Sequence, residues 1–287
     1  MTLSSTGTAT APPTPADLLA VRREEPGRFT AAVHPVGGQV AFGGQLVAHT
    51  VSAAAAELAG RPVRQVHTVF ARSGRTDRPV DIAVEVIHSG RSLSSAEVAV
   101  TQGDRALCRS LVLADEGDED LIAAAETMPA VPGPESLPDI GWDGNLAAAR
   151  FADPGYRPAE RGPDGEAELA VWTRWPDLAD DPAGHAAALA WHTEPFVMNA
   201  ALRPHDGVAV SMAHAELDTA VLTHTVTFHA PARADEWHLV WQRGLHAGAG
   251  RVHGRGEVFT ADGRHVASFV QEAMVRANQL SREGGRS

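Results

Sequence analysis

Lysine is absent from this chain of 287 residues, so every one of its 24 basic side chains is arginine, and 36 acidic residues outnumber them for a formal net charge of −12. That balance argues against a nucleic-acid groove or an anionic membrane surface as the main partner. The single cysteine, Cys108, excludes an intramolecular disulfide, and its place in an alternating stretch reads as an inert core thiol. No apolar run reaches the roughly 18 residues needed to span a bilayer. The opening stretch MTLSSTGTATAPPTPA lacks the basic start and apolar core of a secretory signal, so it reads as a disordered tail and the protein as cytosolic. The 14 histidines show no HExxH or comparable spacing, and no metal is expected. Gly43-Gly44 lies in neither a GxGxxG nor a GxxxxGK pattern, and reads as a helix entry permitting close packing rather than a phosphate cradle; no cofactor is expected.

What the chain does contain is a strand-rich block over residues 222–276, and it contains it twice. His67-Thr68-Val69 with Phe70 answers His224-Thr225-Val226 with Phe228, 157 positions later. Gly90-Arg91, Glu97-Val98 and Gly103 answer Gly250-Arg251, Glu257-Val258 and Gly263, each 160 positions later. Two copies of one unit laid end to end is the simplest account. At the later offset Gln271 falls on Leu111, so polar chemistry at Gln271 belongs to the second copy. His67 and His224, recurring in both, read as structural residues at a strand start.

In each copy a helix precedes an antiparallel meander. Residues 17–29 read as a lead-in helix broken at Pro26-Gly27. Leu46, Val47, Val51, Ala54, Ala55 and Leu58 share one face of a helix opened by Gly43-Gly44 and closed by Gly60 and Pro62. From Val66 the period becomes two: Val80, Ile82, Val84 and Val86 alternate with Asp81, Ala83 and Glu85, and Gln102-Gly103-Asp104 marks a hairpin turn. Residues 115–120 form an acidic, solvated linker entrance, and residues 128–164, rich in Pro, Gly and Asp, read as a connector crossing the surface. The expected organisation is a tail over 1–16, a first unit over 17–125, a connector over 126–165, a second unit over 166–277 and a tail over 278–287.

The second helix, over residues 182–202, carries the candidate chemistry. Ala187, Ala190, Trp191, Glu194, Val197 and Met198 share a face, which sets a carboxylate in an apolar stripe where desolvation raises its pKa. Pro195 removes an amide donor and pushes away the Trp191 carbonyl, so an unwound turn beside Glu194 is expected. Gln271 shares a strand face with Ala267, Phe269 and Ala273 and needs a hydrogen-bond partner there, for which Glu194 is the natural candidate. Trp172, Trp175, Trp191, Trp237 and Trp241 concentrate in this unit as core or pocket-lining residues.

A helix wrapped by an antiparallel sheet, present twice, describes an α+β double hot-dog. The motifs FGGQLVAHTV from Phe42, HTVFARSG from His67, ALRPH from Ala201, HTVTFHAP from His224 and VASFVQEAMVR from Val266 resemble those of the type II acyl-CoA thioesterases, the TesB-like group, in the same order across most of residues 30–276. The resemblance implies a helix carboxylate, a strand hydroxyl and a strand glutamine that together bind the attacking water. Carried over by position, Glu194 takes the carboxylate place and Gln271 the glutamine place, while the hydroxyl place falls on Val221. Thr223, two residues along that strand, and Thr193, beside Glu194, are the candidate replacements. The resemblance further implies an acyl-CoA or acyl-carrier thioester substrate and association into dimers or tetramers. A thioester needs only a carboxylate base, a water and oxyanion donors, for which the amides at the start of a hot-dog helix or near the Pro195 break are suited. Two other readings stay open: a dehydratase or hydratase acting on a thioester-linked chain, favoured by the missing hydroxyl at Val221, and a catalytically silent acyl-binding protein.

Overall fold

A computed structural model describes residues 13–36, 38–140, 148–153, 155–156, 158 and 165–278. Helix α1 (Pro15–Leu19) is held by a capping box between Thr14 and Asp17. The lead-in helix expected over 17–29 ends there. Strands β1 (Arg22–Glu25) and β2 (Arg28–Ala31) form a hairpin instead, because Gly27 takes a φ of 71° and turns the chain back at Pro26-Gly27. Of the expected tails, residues 1–12 and 279–287 lie outside the described residues.

Helix α2 (Gly43–Glu57) follows, then the meander β3 (Val63–Phe70), β4 (Val80–Ser89), β5 (Leu93–Gln102) and β6 (Arg105–Asp115). Strands β5 and β6 meet across a two-residue turn in which Gly103 has a φ of 59°. Strand β7 (Ala148–Phe151) arises from the stretch expected as a surface connector and pairs with β8 (Glu168–Arg174). The same stretch also covers the outer face of the sheet: Leu137, with Met128 and Val131, packs on Trp172, Trp237, Leu239 and Phe259. The Trp172 Nε1 proton goes to the Pro132 carbonyl at 2.9 Å.

Helix α3 (Pro182–His192) starts on Asp181, whose carboxylate accepts from the amides of Ala183 and Gly184, and helix α4 (Val197–Leu202) continues after a break. The second meander is β9 (Leu217–Phe228), β10 (His238–Gly248), β11 (Arg251–Thr260) and β12 (His265–Ala277). The twelve strands of the described residues make one antiparallel sheet in the order β1-β2-β4-β5-β6-β3-β9-β12-β11-β10-β8-β7, with α2 packed against α3 on its inner face. This is the double hot-dog fold: two wrapped helices, one sheet, and a seam between β3 and β9.

The register at that seam corrects the repeat. Thr68 stands opposite His224, and His67 opposite Thr225. Thr68 and His224 are buried, whereas His67 is exposed on the outer face, its Nδ1 2.7 Å from Thr225 Oγ1. His67 and His224 are therefore not counterparts, because a one-residue slip in alignment turns a strand residue to the other face. Leu111 is likewise 55% exposed on the outer face, while the inward polar pair of the first unit is Thr68 with Ser110, their hydroxyls 2.8 Å apart.

Candidate active site

One row of aligned positions crosses the middle of the sheet: Ser110, Thr68, His224, Gln271, Gly254, Gly244. The two glycines fix what lies above it. A Cβ on Gly254 would meet Val197 Cγ1 at 2.6 Å, and one on Gly244 would meet the Ala201 Cα at 2.6 Å. Bare glycine lets α4 rest directly on the sheet, which draws the break before it down toward His224 and Gln271.

That break, residues 193–196, is where Pro195 interrupts helical bonding as its chemistry requires. Thr193 caps α3, its hydroxyl 2.8 Å from the Ala190 carbonyl and 2.8 Å from His224 Nε2. His224 Nδ1 lies 3.0 Å from Gln271 Oε1. The partner of Gln271 is thus His224 and not Glu194; the link to the acid runs through His224 and Thr193. Burial pushes His224 down to about 4, so its ring is neutral and carries one proton. With the Gln271 oxygen toward the ring, that proton sits on Nδ1 and is donated to Oε1, and the Thr193 hydroxyl faces two acceptors, His224 Nε2 and the Ala190 carbonyl. Both N–H bonds of Gln271 are then left for another acceptor on the inner face.

Glu194 is 5% exposed. Burial alone pushes its carboxyl up to about 8, and among the described residues no side chain hydrogen-bonds it. Its carboxylate abuts the start of α2: a Cβ on Gly43 would fall 2.5 Å from Glu194 Oε1, and one on Gly44 would fall 2.8 Å from the Trp191 carbonyl. Gly43-Gly44 is therefore a close-packing entry, and it brings the first unit's helix N-terminus to the second unit's acid. No side chain of the Phe42 cap bonds the first turn of α2. Gly43 thus sets the N-terminus of α2 beside the Glu194 carboxylate, and the partial positive charge of that terminus favours the anion and opposes the effect of burial.

The two remaining candidates separate. A bulge shifts the β9–β12 register between Gln271 opposite His224 and Ala273 opposite Val221, so Val221 faces inward. Thr223 instead stands opposite Glu272 and Val69, on the outer face. Simple alternation puts Val221 and Thr223 on one face; the extra residue at Leu222 breaks it and removes Thr223 from the Glu194 side. The sequence alone marks His224 as structural only. The signal that marks it is its position next to the hydroxyl-bearing alternation, legible once the bulge is known. Among the described residues, no group of histidine, cysteine, aspartate and glutamate is arranged to hold a metal.

Two family models match. The acyl-CoA thioesterase N-terminal domain matches residues 30–114, and the acyl-CoA thioesterase C-terminal domain matches residues 125–275. Acyl-CoA thioesterase 2 of Haemophilus influenzae is 26% identical over 274 residues, covering 88% of this chain and 93% of the relative. Human acyl-coenzyme A thioesterase 8 is 27% identical over 262 residues, covering 82% and 80%. Among solved structures, the acyl-CoA thioesterase II TesB2 of Mycobacterium marinum superposes with a TM-score of 0.77 at 26% identity, covering 93% of this chain and 100% of that one.

Proposed function

Because this chain belongs to the acyl-CoA thioesterase family, we propose that it hydrolyses acyl-CoA thioesters with Glu194 as the general base. The observation that carries the reading is the setting of Glu194: a buried carboxylate that no side chain among the described residues hydrogen-bonds, at a helix break, against Gly43 at the start of another helix. Such a group accepts a proton from water readily, because its own charge is poorly solvated. The ionised carboxylate takes a proton from water, the oxygen attacks the thioester carbonyl, and the tetrahedral oxyanion collapses, breaking the C–S bond and releasing the thiol with the proton returned by Glu194. Gln271, held by His224, donates to the water or to the oxyanion. Thr193 supplies the hydroxyl that Val221, at the family's hydroxyl position, lacks. The N-terminus of α2, beside Glu194, supplies partial positive charge for the developing oxyanion.

This reading carries with it a cytosolic location, a place in lipid metabolism and association of the fused units into dimers or tetramers. It also keeps the division into units over 17–125 and 166–277 joined by 126–165. Replacing Glu194→Gln should lower thiol release from acyl-CoA by roughly 10²- to 10⁴-fold, the usual contribution of a positioned base. A variant that keeps the parent rate removes Glu194 from the mechanism. Formation of an enoyl thioester on incubation with a hydroxyacyl thioester would instead favour the dehydratase reading.

A further inference from the structure

The loop from β3 to β4, residues 71–79, carries Arg72, Arg75 and Arg78 against one acid, Asp77, which leaves it with a charge of +2 in a chain whose net charge is −12. All three arginines are exposed, yet the backbone that presents them is fixed. The buried Gln102 spends its whole carboxamide on it: Oε1 accepts from the Arg75 amide at 2.9 Å, and Nε2 donates to the carbonyls of Arg75 at 2.7 Å and Arg78 at 2.9 Å. The Ala41 amide donates to the Gly74 carbonyl and the Thr76 amide to the Gln39 carbonyl, which ties the loop to the stretch entering α2. Asp77 accepts from Arg75 at two points, with Arg78 Nε 3.5 Å away. Among the described residues the Arg72 side chain makes no hydrogen bond or ion pair. The two ends of the loop lie at two different features. Phe70, just before it, adjoins the acid, because the Cβ position on Gly43 that falls 2.5 Å from Glu194 Oε1 falls 3.4 Å from the Phe70 ring. Pro79, its last residue, lines an open cavity of about 820 Å³ with Val21, Thr30 and His34. The His34 amide donates to Gln45 Oε1, in the first turn of α2, at 3.2 Å. Acid, loop and cavity therefore gather around the N-terminus of α2.

A buried amide that spends all its hydrogen bonds on the backbone of an exposed, cationic loop holds those cations ready for an anion. We propose that this loop grips the phosphates of the CoA nucleotide, with the nucleoside in the cavity at Pro79 and the thioester arm running back past Phe70 to Glu194. The inference rests on the hydrolase reading above and assigns the half of the substrate that is not cut. Guanidinium groups suit the task, since each presents a planar fork of donors that matches phosphate oxygens and is more weakly hydrated than an ammonium. Position decides the rest. On a strongly acidic protein a polyanion is repelled from most of the surface, so a local excess of positive charge beside the acid both attracts the nucleotide and orients the arm attached to it. The arginines are open to solvent, so each contact is modest and sensitive to salt.

The test measures kcat and KM of the full-length protein for hexanoyl-CoA and for the hexanoyl thioester of N-acetylcysteamine, which keeps the reacting end and lacks the nucleotide. The expected result is a kcat/KM at least ~10-fold higher for the CoA thioester, since binding energy from the remote part of a substrate is used at the reacting centre. That ratio should shrink as salt is added. Arg72→Gln and Arg78→Gln should each raise KM for hexanoyl-CoA roughly 3- to 10-fold, and the double variant more, as expected for lost charge-assisted hydrogen bonds at an exposed site. Both should leave kcat/KM for the N-acetylcysteamine thioester unchanged, which excludes misfolding as the cause. A wild-type ratio near one, or variants that lower the two substrates equally or not at all, overturns the inference while leaving the hydrolase reading in place. Faster hydrolysis of a hexanoyl carrier protein than of hexanoyl-CoA, with the loss in the arginine variants confined to the carrier, overturns it as well. Failure to release thiol from any of these thioesters overturns the hydrolase reading and this inference with it.

Discussion

His224 Nδ1 lies 3.0 Å from Gln271 Oε1 on the inner face of the sheet, one residue beyond a bulge that turns its neighbour Thr223 the other way. His224 is neutral and reaches the substrate side only through Gln271 and Thr193, so it positions others and does not carry a proton to the reaction. His224→Ala should lower kcat roughly 10- to 100-fold, with a smaller change in KM. The rise of activity with pH should keep its midpoint near 8, because Glu194 is untouched. Loss of that titration in the variant would instead assign it to His224.

Thr193 and Thr223 make a direct comparison. Thr193 Oγ1 touches His224 Nε2 at 2.8 Å, whereas Thr223 sits between Val69 and Glu272 on the outer face. Thr193→Val should cost about 10-fold or more in kcat, and Thr223→Val should stay within about 2-fold of the parent. Equal losses in the two variants would place the hydroxyl on the strand after all.

Protonation couples the interior to stability in two opposite senses. His49, His192, His224 and His238 are buried, with pKa values pushed from 6.5 down to about 4, 3, 4 and 4. The unfolded chain binds protons at these residues below pH 6.5 and the native chain does not. Their contribution is complete above 6.5 and is lost as pH falls toward 4, by up to roughly 5 kcal/mol per pH unit. Glu194 acts the other way: raised from 4.5 to about 8, it makes the native state bind the extra proton, so its setting weakens the fold as pH rises through that window. Denaturant titrations at a series of pH values should show a steep acid loss of stability below about pH 6. Glu194→Gln should remove the shallower alkaline decline, gaining a few kcal/mol at pH 9, on the order of 3 to 5. An alkaline decline that survives in Glu194→Gln would mean that the carboxyl is better solvated than its burial implies.

The parts of this molecule legible in the sequence are those set by local periodicity and local covalent chemistry. Helix α2, the alternation of β4 to β6 and the break at Pro195 follow from the spacing of apolar residues and from the missing proline amide. Glu194 is legible because one carboxylate on an apolar stripe is conspicuous. What was not legible depends on register between distant strands. The pairing of Thr68 with His224 decides which face each repeat presents, and the bulge at Leu222 decides that Val221 faces inward and Thr223 does not. Neither leaves a mark in a single strand's pattern. Strand β7 was hidden differently, since its four residues, lying within a Pro- and Gly-rich stretch, become a strand only by pairing with β8.

Gly43 offers the sharpest test of how the first unit serves the second. Its backbone conformation does not demand glycine, since its φ is not positive, so the missing side chain matters for space alone. A methyl group there would stand 2.5 Å from Glu194 Oε1 and 3.4 Å from the Phe70 ring. The carboxylate would have to swing away from the α2 N-terminus, losing both its aim and the positive end of the helix. Gly43→Ala should therefore lower kcat at least ~10-fold and move the alkaline midpoint of activity upward, at a cost in stability of only about 1 to 3 kcal/mol. Gly60→Ala supplies the contrast: its φ of 73° makes it costly for backbone reasons, yet nothing stands near its missing Cβ. It should destabilise by about 1 kcal/mol with kcat intact. If Gly43→Ala proves as active as Gly60→Ala, the acid does not depend on the neighbouring helix, and its burial alone must account for its reactivity.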